Sequence, residues 1–325
     1  ALRLGLRRFA GANRPDVIVG SIPGLPTLPA ALALGRGLRR PVVAELRDAW
    51  PDILASAADW TPPPGGAGSR WSRVRGAVLG GIRGAIPPVV TWLEREAAAV
   101  VTTTDSFAQV LRERGVDRVV TVRNTAEPRD WALPAVPRQQ SDGALHVLYL
   151  GTVGRAQGLR SAVRAAALAR ARGTRVVLRV VGEGADLAQV RSEAEELDAP
   201  VEVLPMVPAD QVAAHYAWAD SVLVSLQDWP SMELTVPSKL YEVMATGRHV
   251  SLAAAGAAGR IVSASGSGDI VPPQDPPALA RLWRGLAVDR GRLIVTGGGR
   301  WLEANAARDA LIDRYEAVLE EVARA

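Results

Sequence analysis

The sequence predicts an α/β fold built from two doubly wound domains, each a parallel sheet covered by helices. Short apolar runs rich in β-branched residues alternate with segments of helical periodicity, a pattern typical of parallel α/β sheets. The chain of 325 residues also exceeds what one ordinary core needs. A stretch rich in proline and polar residues, 127–143, divides the alternation into two series. We therefore expect an N-terminal domain over 1–135 and a C-terminal domain over 144–325.

The N-terminal series contains four predicted strands. One predicted helix, 28–38, joins the first two strands, and another, 107–115, joins the last two. The strands are expected at 16–21, 41–46, 98–104 and 118–124.

The C-terminal series is typical of a whole doubly wound domain. Its predicted helices include 159–172, 185–197 and 209–218, and a last amphipathic segment, 300–323, is assigned to the same domain. Ligands of such sheets bind outside the carboxyl ends of the strands, so a cleft between the two domains is expected there. The strands are expected at 145–151, 175–182, 201–205, 221–226, 249–254 and 268–273.

The composition excludes several kinds of site. No apolar run approaches the ~20 residues of a membrane span and no signal peptide is recognisable, so we expect a soluble protein, in the cytoplasm by default. The chain has no cysteine, which excludes disulfides, zinc thiolate sites and thiol nucleophiles. Its 3 histidines are too scattered for a His-rich metal site. A net charge of +4 suits an anionic partner without choosing among nucleotide, lipid headgroup and nucleic acid.

Segment 69–93 does not fit the alternation. Its apolar residues lie near one helical face, its arginines lie around that face, and no acidic residue appears before Glu94. A basic amphipathic stretch of this kind can lie in the interface of an anionic membrane. The alternative is an ordinary surface helix over the core, and several glycines weaken the helix prediction itself. Both interpretations stay open.

Nucleotide signatures that work through a metal are missing from the sequence. There is no G-x-x-x-x-G-K-[ST] loop and no D-x-D pair near a predicted strand end, so we expect no metal. The glycine-rich stretch 151–158 is either a tight strand-to-helix turn or a loop whose backbone N–H groups approach a phosphate. In the second case protein cations and a helix start must neutralise a diphosphate. The candidates for this role are Arg155, Lys239 and the helix start at Pro237.

The stretch TVPSKLYEVMATGRHV, residues 235–250, predicts a helix with two different faces. The polar face is either a solvated first turn, with an i,i+3 ion pair worth a few tenths of a kcal/mol, or a ligand contact. The residues expected to be buried are Leu240, Val243 and Met244, and those on the polar face are Ser238, Lys239 and Glu242.

The same stretch resembles the PSKxxExxAxGxPV signature of retaining glycosyltransferases of family 4, which have the GT-B fold. ELRDAWPD (45–52) is similar to the RDxWP segment of the branch that builds O-antigen, colanic acid and capsular polysaccharides. RPDVIVGSIP, LYLGTVGRAQGL, and VVGEG followed by VEVLPMVPADQV also match that branch. The motifs occur in the right order over about 14–290, which is more specific than any one of them.

The resemblance implies a nucleotide sugar bound in the cleft between two GT-B domains. Glu242 would bind the ribose hydroxyls, and Ser238 with Lys239, a catalytic residue, would lie at the diphosphate. Arg47 and Asp48 would face the donor sugar and acceptor as the other catalytic residues. The further donor-side residues are Gly154, Arg155, Gln157, Thr235 and Pro237 around the diphosphate, and Glu183, Met206 and Val207 at the nucleobase.

Four departures from the family pattern stand out. Leu234 occupies the position of a frequent glutamate eight residues before the second one, with Glu233 one residue away. Gln157 replaces a lysine and so removes one cation near the diphosphate, and His249 replaces a proline. The family's first strand and Gly-rich acceptor loop have no counterpart before residue 14, so the N-terminal domain is expected to be incomplete.

We therefore expect a hexosyl- or N-acetylhexosaminyltransferase of cell-surface polysaccharide synthesis that is retaining, metal-independent and free of cofactors. Its donor would be UDP-linked, its acceptor a glycan or a polyprenyl-linked glycan, and nucleic acid would not be a partner. Contact through 69–93 would place it at the inner face of the cell membrane. The alternatives are a UDP-sugar 2-epimerase-like isomerase, which needs a histidine and acid–base carboxylates near the cleft, and a non-catalytic GT-B partner subunit.

Overall fold

The computed structural model describes residues 9, 14–22, 24, 26–53, 86–126, 133 and 143–325. The chain divides into two compact units, the first comprising 1–123 with 308–325 and the second 124–307. Each unit contains one parallel sheet, as the predicted α/β class requires. Of the predicted linker 127–143, all but residues 133 and 143 lies outside the described residues.

The first unit has a four-stranded sheet in the chain order β1-β2-β3-β4. The two inner strands are mainly apolar and almost wholly buried, which is typical of parallel strands covered on both faces. Edge strand β1 instead alternates between buried and exposed residues. The elements are β1 (Ile18–Ile22), α1 (Thr27–Leu38), β2 (Val42–Leu46), α2 (86–95), β3 (Ala99–Thr102), α3 (Asp105–Glu113) and β4 (Val119–Thr121).

The second unit has a six-stranded parallel sheet in the order β10-β9-β8-β5-β6-β7. Numbered from β5 as strand 1, the strands lie in the 3-2-1-4-5-6 order of a Rossmann domain. The side on which successive strands are added to the sheet therefore changes between β5 and β8. The strands are β5 (Leu145–Leu150), β6 (Val176–Val181), β7 (Val201–Leu204), β8 (Ser221–Ser225), β9 (His249–Ala253) and β10 (Gly268–Val271). The helices are α4 (Leu159–Ala171), α5 (Leu187–Glu196), α6 (Val212–Trp218), α7 (Ser238–Thr246), α8 (Gly256–Ser265), α9 (Pro276–Val288) and α10 (Gly297–Asn305).

The core of the second unit is built on the buried strand β5. Small residues of α4, such as Ala162 and Ala166, share a buried cluster with large residues of α9, including Trp283, which is 0% exposed. Small side chains on one helix leave room for large ones on its neighbour, which is how well-packed cores are filled. This packing supports the strand from which the 151–158 loop emerges.

The terminal segment 300–323 was predicted to belong as a whole to the C-terminal domain, and the structure differs. It contains two helices, α10 in the second unit and α11 (Arg308–Arg324) in the first. Val318 and Val322 of α11 lie in one buried cluster with Val43 and Val101 of the first sheet. The chain therefore returns to the first unit, where the apolar stripe of α11 packs on the apolar face of β2 and β3 and buries it.

The basic segment 69–93 is only partly described. Residues 86–95 form helix α2, whereas 69–85 lie outside the described residues. Within the part of the chain that the structure describes, no helix is both long enough and apolar enough to cross a bilayer.

Candidate functional site

The candidate site lies at the carboxyl ends of β5 and β8, the neighbouring strands at which the second sheet reverses its direction of winding. Open α/β sheets bind ligands in the crevice outside such a switch point. The loop 151–158 leaves β5 there, and the segment that leads from β8 into α7 begins there. Most predicted donor-side residues belong to this loop, to this segment or to α7 itself.

The loop after β5 is joined closely to the loop after β6 by backbone contacts. The Val153 N–H donates to the Glu183 carbonyl at 2.8 Å, and the Asp186 N–H donates to the Val153 carbonyl at 3.0 Å. A Cβ on Gly184, whose φ is +157°, would lie 2.2 Å from the Val153 carbonyl oxygen. A Cβ on Gly182 would lie 1.8 Å from the carbonyl oxygen of the first loop residue. These two glycines are needed for close backbone approach, a role that sequence reasoning did not assign to them.

Gln157 turns back onto its own loop. Its Oε1 accepts the Gly154 N–H at 3.1 Å. Gln227, just after β8, holds the loop from its other side: its backbone N–H donates to the Ala156 carbonyl at 2.8 Å and its Nε2 to the Arg155 carbonyl at 3.0 Å. The backbone of the loop is thereby held in place, and the side chain of Arg155 is left exposed.

Helix α7 has the two faces that its sequence predicts. The predicted core residues Leu240, Val243 and Met244 are all at most 1% exposed. Pro237 precedes the first turn without a side-chain cap, and Ser238 is exposed. An uncapped helix start keeps N–H groups available to an anion.

Lys239 and Glu242 form the ion pair that their spacing allows, with Nζ 2.9 Å from Oε2. The Lys239 Cε also lies 3.8 Å from the position of a Cβ on Gly151, which brings the pair beside the β5 loop. The other carboxylate oxygen of Glu242, Oε1, accepts the hydroxyl of Tyr216 at 3.0 Å. Sequence reasoning missed Tyr216, which comes from α6 and belongs to no motif.

The other donor-side residues occupy the same edge of the second sheet. Glu183, exposed, follows β6, and Met206, 47% exposed, and Val207 follow β7. The Thr235 hydroxyl donates to the Ser231 carbonyl at 3.2 Å and so stabilises the turn before α7. The structure thus brings all the predicted second-domain residues to the carboxyl ends of β5 to β8.

Arg47 and Asp48 belong to the first unit, where they follow β2 at the surface. Desolvation raises the pKa of Asp48, and Arg47 opposes the rise. Glu94 is at the end of α2, before the amino end of β3, and is 0% exposed. Burial raises its pKa to about 8, while the charge of Arg114 lowers it and that of Asp52 raises it.

No cluster of three or more His, Asp or Glu side chains that could hold a metal ion occurs within the described residues. Two histidines, His146 and His249, lie at the amino ends of β5 and β9, away from the loops of the candidate site. His215 is in α6, directly before Tyr216, whose hydroxyl donates to Glu242.

Comparison with known proteins agrees with this geometry. The family described as Glycosyl transferases group 1 matches residues 144–289, which contain the whole second-unit site. Among curated proteins, no sequence matches the chain significantly.

Solved structures of glycosyltransferases share the fold. HepE from Anabaena, solved with UDP and glucose, matches with a TM-score of 0.69 and 16% identity over 98% of this chain and 81% of its own. Sucrose-phosphate synthase from Thermosynechococcus elongatus gives 0.66 and 17% over 97% and 76%. The lipopolysaccharide outer core galactosyltransferase WaaB gives 0.64 and 13% over 98% and 80%.

The two parallel sheets and these neighbours define a GT-B fold, as the sequence predicts. The domain match and the glycosyltransferase neighbours together support a glycosyltransferase. Within that class, residues 144–289 resemble the group 1 domain.

Proposed function

We propose that the protein transfers a sugar from a UDP-linked donor to a glycan or polyprenyl-linked acceptor, with retention of configuration and without a metal ion. One observation carries the proposal: Lys239, Glu242 and the Gly151 turn meet at the switch point of a Rossmann sheet. This places a cation, an acceptor for hydroxyl groups and a backbone turn in one crevice. The complex of HepE with UDP-glucose supports the choice of donor class.

The carboxylate of Glu242 and the ammonium group of Lys239 bind different parts of the donor. Glu242 is partly exposed, with 26% of its side chain accessible, and its oxygens accept the ribose hydroxyls. Lys239 lies one turn earlier, at the uncapped start of α7, where the helix dipole also favours negative charge. The diphosphate binds there, with Arg155 and Ser238 beside it, and Thr235 and Pro237 shape the entry to the helix. Glu183, Met206 and Val207 line the nucleobase end.

The reaction needs no protein nucleophile. The bond between the anomeric carbon and the diphosphate oxygen breaks, and the charge that develops on the diphosphate is stabilised by Lys239 and the helix start. The acceptor hydroxyl attacks the oxocarbenium-like sugar from the face that the diphosphate leaves. Its proton passes to an oxygen of the departing phosphate, so atoms and charges balance and the configuration is retained.

The acceptor side belongs to Arg47 and Asp48. Asp48 orients a hydroxyl of the acceptor or donor sugar; desolvation raises the pKa of Asp48, and the charge of Arg47 limits the rise. The basic stretch 69–93 contacts the cytoplasmic face of the membrane, where a polyprenyl-linked acceptor resides.

Calorimetric titration of UDP tests the donor site. Replacing Glu242 by Ala removes charge-assisted hydrogen bonds, so we expect about a 10- to 100-fold loss of UDP affinity. Lys239→Ala is expected to weaken UDP much more than uridine, because uridine has no diphosphate. Arg170→Ala, an exposed substitution at the far end of α4, is the control. Equal binding of UDP by the natural chain and Glu242→Ala, or binding by neither, would contradict the proposal.

A transfer assay tests the reaction. Radiolabelled UDP-sugars are incubated with the protein and a membrane extract, with and without EDTA, and the anomer of the product is assigned by NMR. Transfer that survives EDTA with retained configuration supports the proposal. Conversion of the UDP-sugar without acceptor indicates the isomerase, and UDP binding without turnover indicates a non-catalytic subunit.

A further inference from the structure

Tyr216 lies behind the candidate ribose-binding carboxylate and contacts it directly. The residue is 0% exposed and belongs to α6, on a part of the chain remote in sequence from Glu242. Its Oη donates to Glu242 Oε1 at 3.0 Å, while Lys239 Nζ donates to Oε2 at 2.9 Å. Each oxygen of the carboxylate is therefore held by one protein donor.

The tyrosine is itself fixed by a buried arginine. Arg248 is 1% exposed and its Nε donates to the backbone carbonyl of Tyr216 at 2.9 Å. Arg248 lies two residues after the last residue of α7, and its backbone N–H donates to the hydroxyl of that last residue, Thr246, at 3.1 Å. The end of α7 thus anchors the helix that carries Tyr216, and Tyr216 in turn holds a residue near the start of α7.

This arrangement leaves the carboxylate free to accept two more hydrogen bonds. A carboxylate oxygen has two lone-pair positions, and among the described residues one donor contacts each oxygen of Glu242. The positions that stay open point in a fixed direction only while both protein donors hold the plane of the carboxylate. The adjacent 2′- and 3′-hydroxyls of a ribose require such a fixed pair of acceptors.

We propose that Tyr216 is a positioning residue that sets the recognition of the ribose hydroxyls by Glu242. The inference rests on the proposed function, in which Glu242 binds the ribose. Tyr216 contacts no ligand atom; it selects one orientation of the carboxylate. Its hydroxyl does this without adding a charge beside Lys239, so the affinity for the diphosphate does not depend on it.

Titration of UDP, 2′-deoxy-UDP and 3′-deoxy-UDP tests the inference. In the natural chain we expect UDP to bind more tightly than either deoxy nucleotide. Tyr216→Phe keeps the ring and removes the hydroxyl, so UDP affinity should fall about three- to tenfold and the deoxy nucleotides should lose less. The ratio of UDP to deoxy-UDP affinity should therefore shrink.

Tyr241→Phe is the matched control. This tyrosine is equally buried, directly precedes Glu242 and packs its ring against Trp301 at a centroid distance of 6.3 Å. Tyr241→Phe should keep the ratio of UDP to deoxy-UDP affinity that the natural chain shows. Replacement of Tyr216 by 3-fluorotyrosine, a stronger donor of nearly the same size, should keep that ratio as well. It provides a second, folded variant if Tyr216→Phe is unstable.

The outcomes test the positioning role of Tyr216 and the proposed function separately. An unchanged ratio in Tyr216→Phe, or an equal loss in both phenylalanine variants, overturns the positioning role while UDP binding by the natural chain leaves the proposed function in place. Absence of UDP binding by the natural chain overturns both.

Discussion

The carboxyl ends of the two sheets are built in different ways. In the second unit, the loops after β5 and β6 are joined by backbone hydrogen bonds and by glycines that permit direct contact between main chains. In the first unit, Arg47 and Asp48 follow β2 with exposed, charged side chains. The contacts at one edge are made by the backbone, whereas the other edge presents charged side chains.

The difference indicates how each edge serves binding. A site made of backbone N–H groups needs exact spacing, and contacts between main chains supply it at all pH values. The carboxyl group of Asp48 instead gains or loses a proton with pH, and desolvation raises its pKa while Arg47 lowers it. The proposed function uses the second edge for a diphosphate and the first for a sugar hydroxyl.

The largest expected effect tests the backbone contacts of the second edge. In Gly184→Ala the new Cβ would overlap the Val153 carbonyl, 2.2 Å away, in a left-handed conformation. We expect destabilisation by about 4 kcal/mol or more in urea unfolding, with UDP binding lost. Gly173→Ala is the control, because that glycine has a φ of +77° and no atom within 4 Å of the added Cβ. It should cost only about 1 to 2 kcal/mol and bind UDP normally.

A smaller effect concerns the first unit through the buried Glu94. Burial raises its pKa from 4.5 to about 8, so the folded protein holds a proton that the unfolded chain releases. Stability should thus be complete below pH 4.5 and be lost as the pH rises through 8, by roughly 4 kcal/mol between pH 5 and 8.5. Glu94→Gln should remove this fall when unfolding is followed from pH 5 to 8.5. A parallel decline in variant and natural chain would show that Glu94 is not its source.

Local pattern was sufficient to predict the strands and the buried face of α7. Strand β5 was expected at 145–151 and spans Leu145–Leu150, because a short, mainly apolar run that ends at a glycine is typical of a buried strand. The buried side of α7 follows equally from its period. Both features depend only on neighbours in sequence.

Features that depend on distant residues were not predictable. The stripe of α11 shows that one face is buried, but its partner Val43 lies in the first sheet. The need for glycine at position 184 arises from Val153, and the role of Tyr216 arises from Glu242. These contacts are set by tertiary packing, so one sequence carries no local sign of them.

A third prediction contrasts the binding edge with the opposite, amino-terminal edge of the second sheet. His249, at the start of β9, accepts or donates at 2.9 Å to the Ser221 hydroxyl and lies 3.0 Å from Asp269 Oδ2. Burial lowers the pKa of His249, while Asp269 raises it and Arg292 lowers it. Because the unfolded chain binds the proton more readily, stability should be complete above pH 6.5 and be lost as the pH falls below it.

His249→Gln should reduce that acid sensitivity. We expect the drop in Tm between pH 7.5 and 5.5 to be smaller in the variant by about 2 to 4 °C. UDP affinity at pH 7.5 should not change, because the residue lies at the other end of the strands. A change in affinity would contradict the separation of the two edges.

The smallest expected effect concerns Gln157, which stands where the resembling family has a lysine. In this chain its Oε1 occupies the Gly154 N–H, so a backbone donor at the candidate diphosphate site is already satisfied and one cation is absent. Gln157→Lys should release that N–H and add a charge, which would raise UDP affinity roughly three- to tenfold at low salt. Gln157→Met separates the two contributions, since it releases the N–H without adding a charge. If the lysine variant gains no more than the methionine variant, or if its gain survives 0.5 M salt, the added charge does not act on the diphosphate. If both variants bind UDP less tightly, Gln157 serves to hold the loop, and the second edge then depends on a side chain as the first one does.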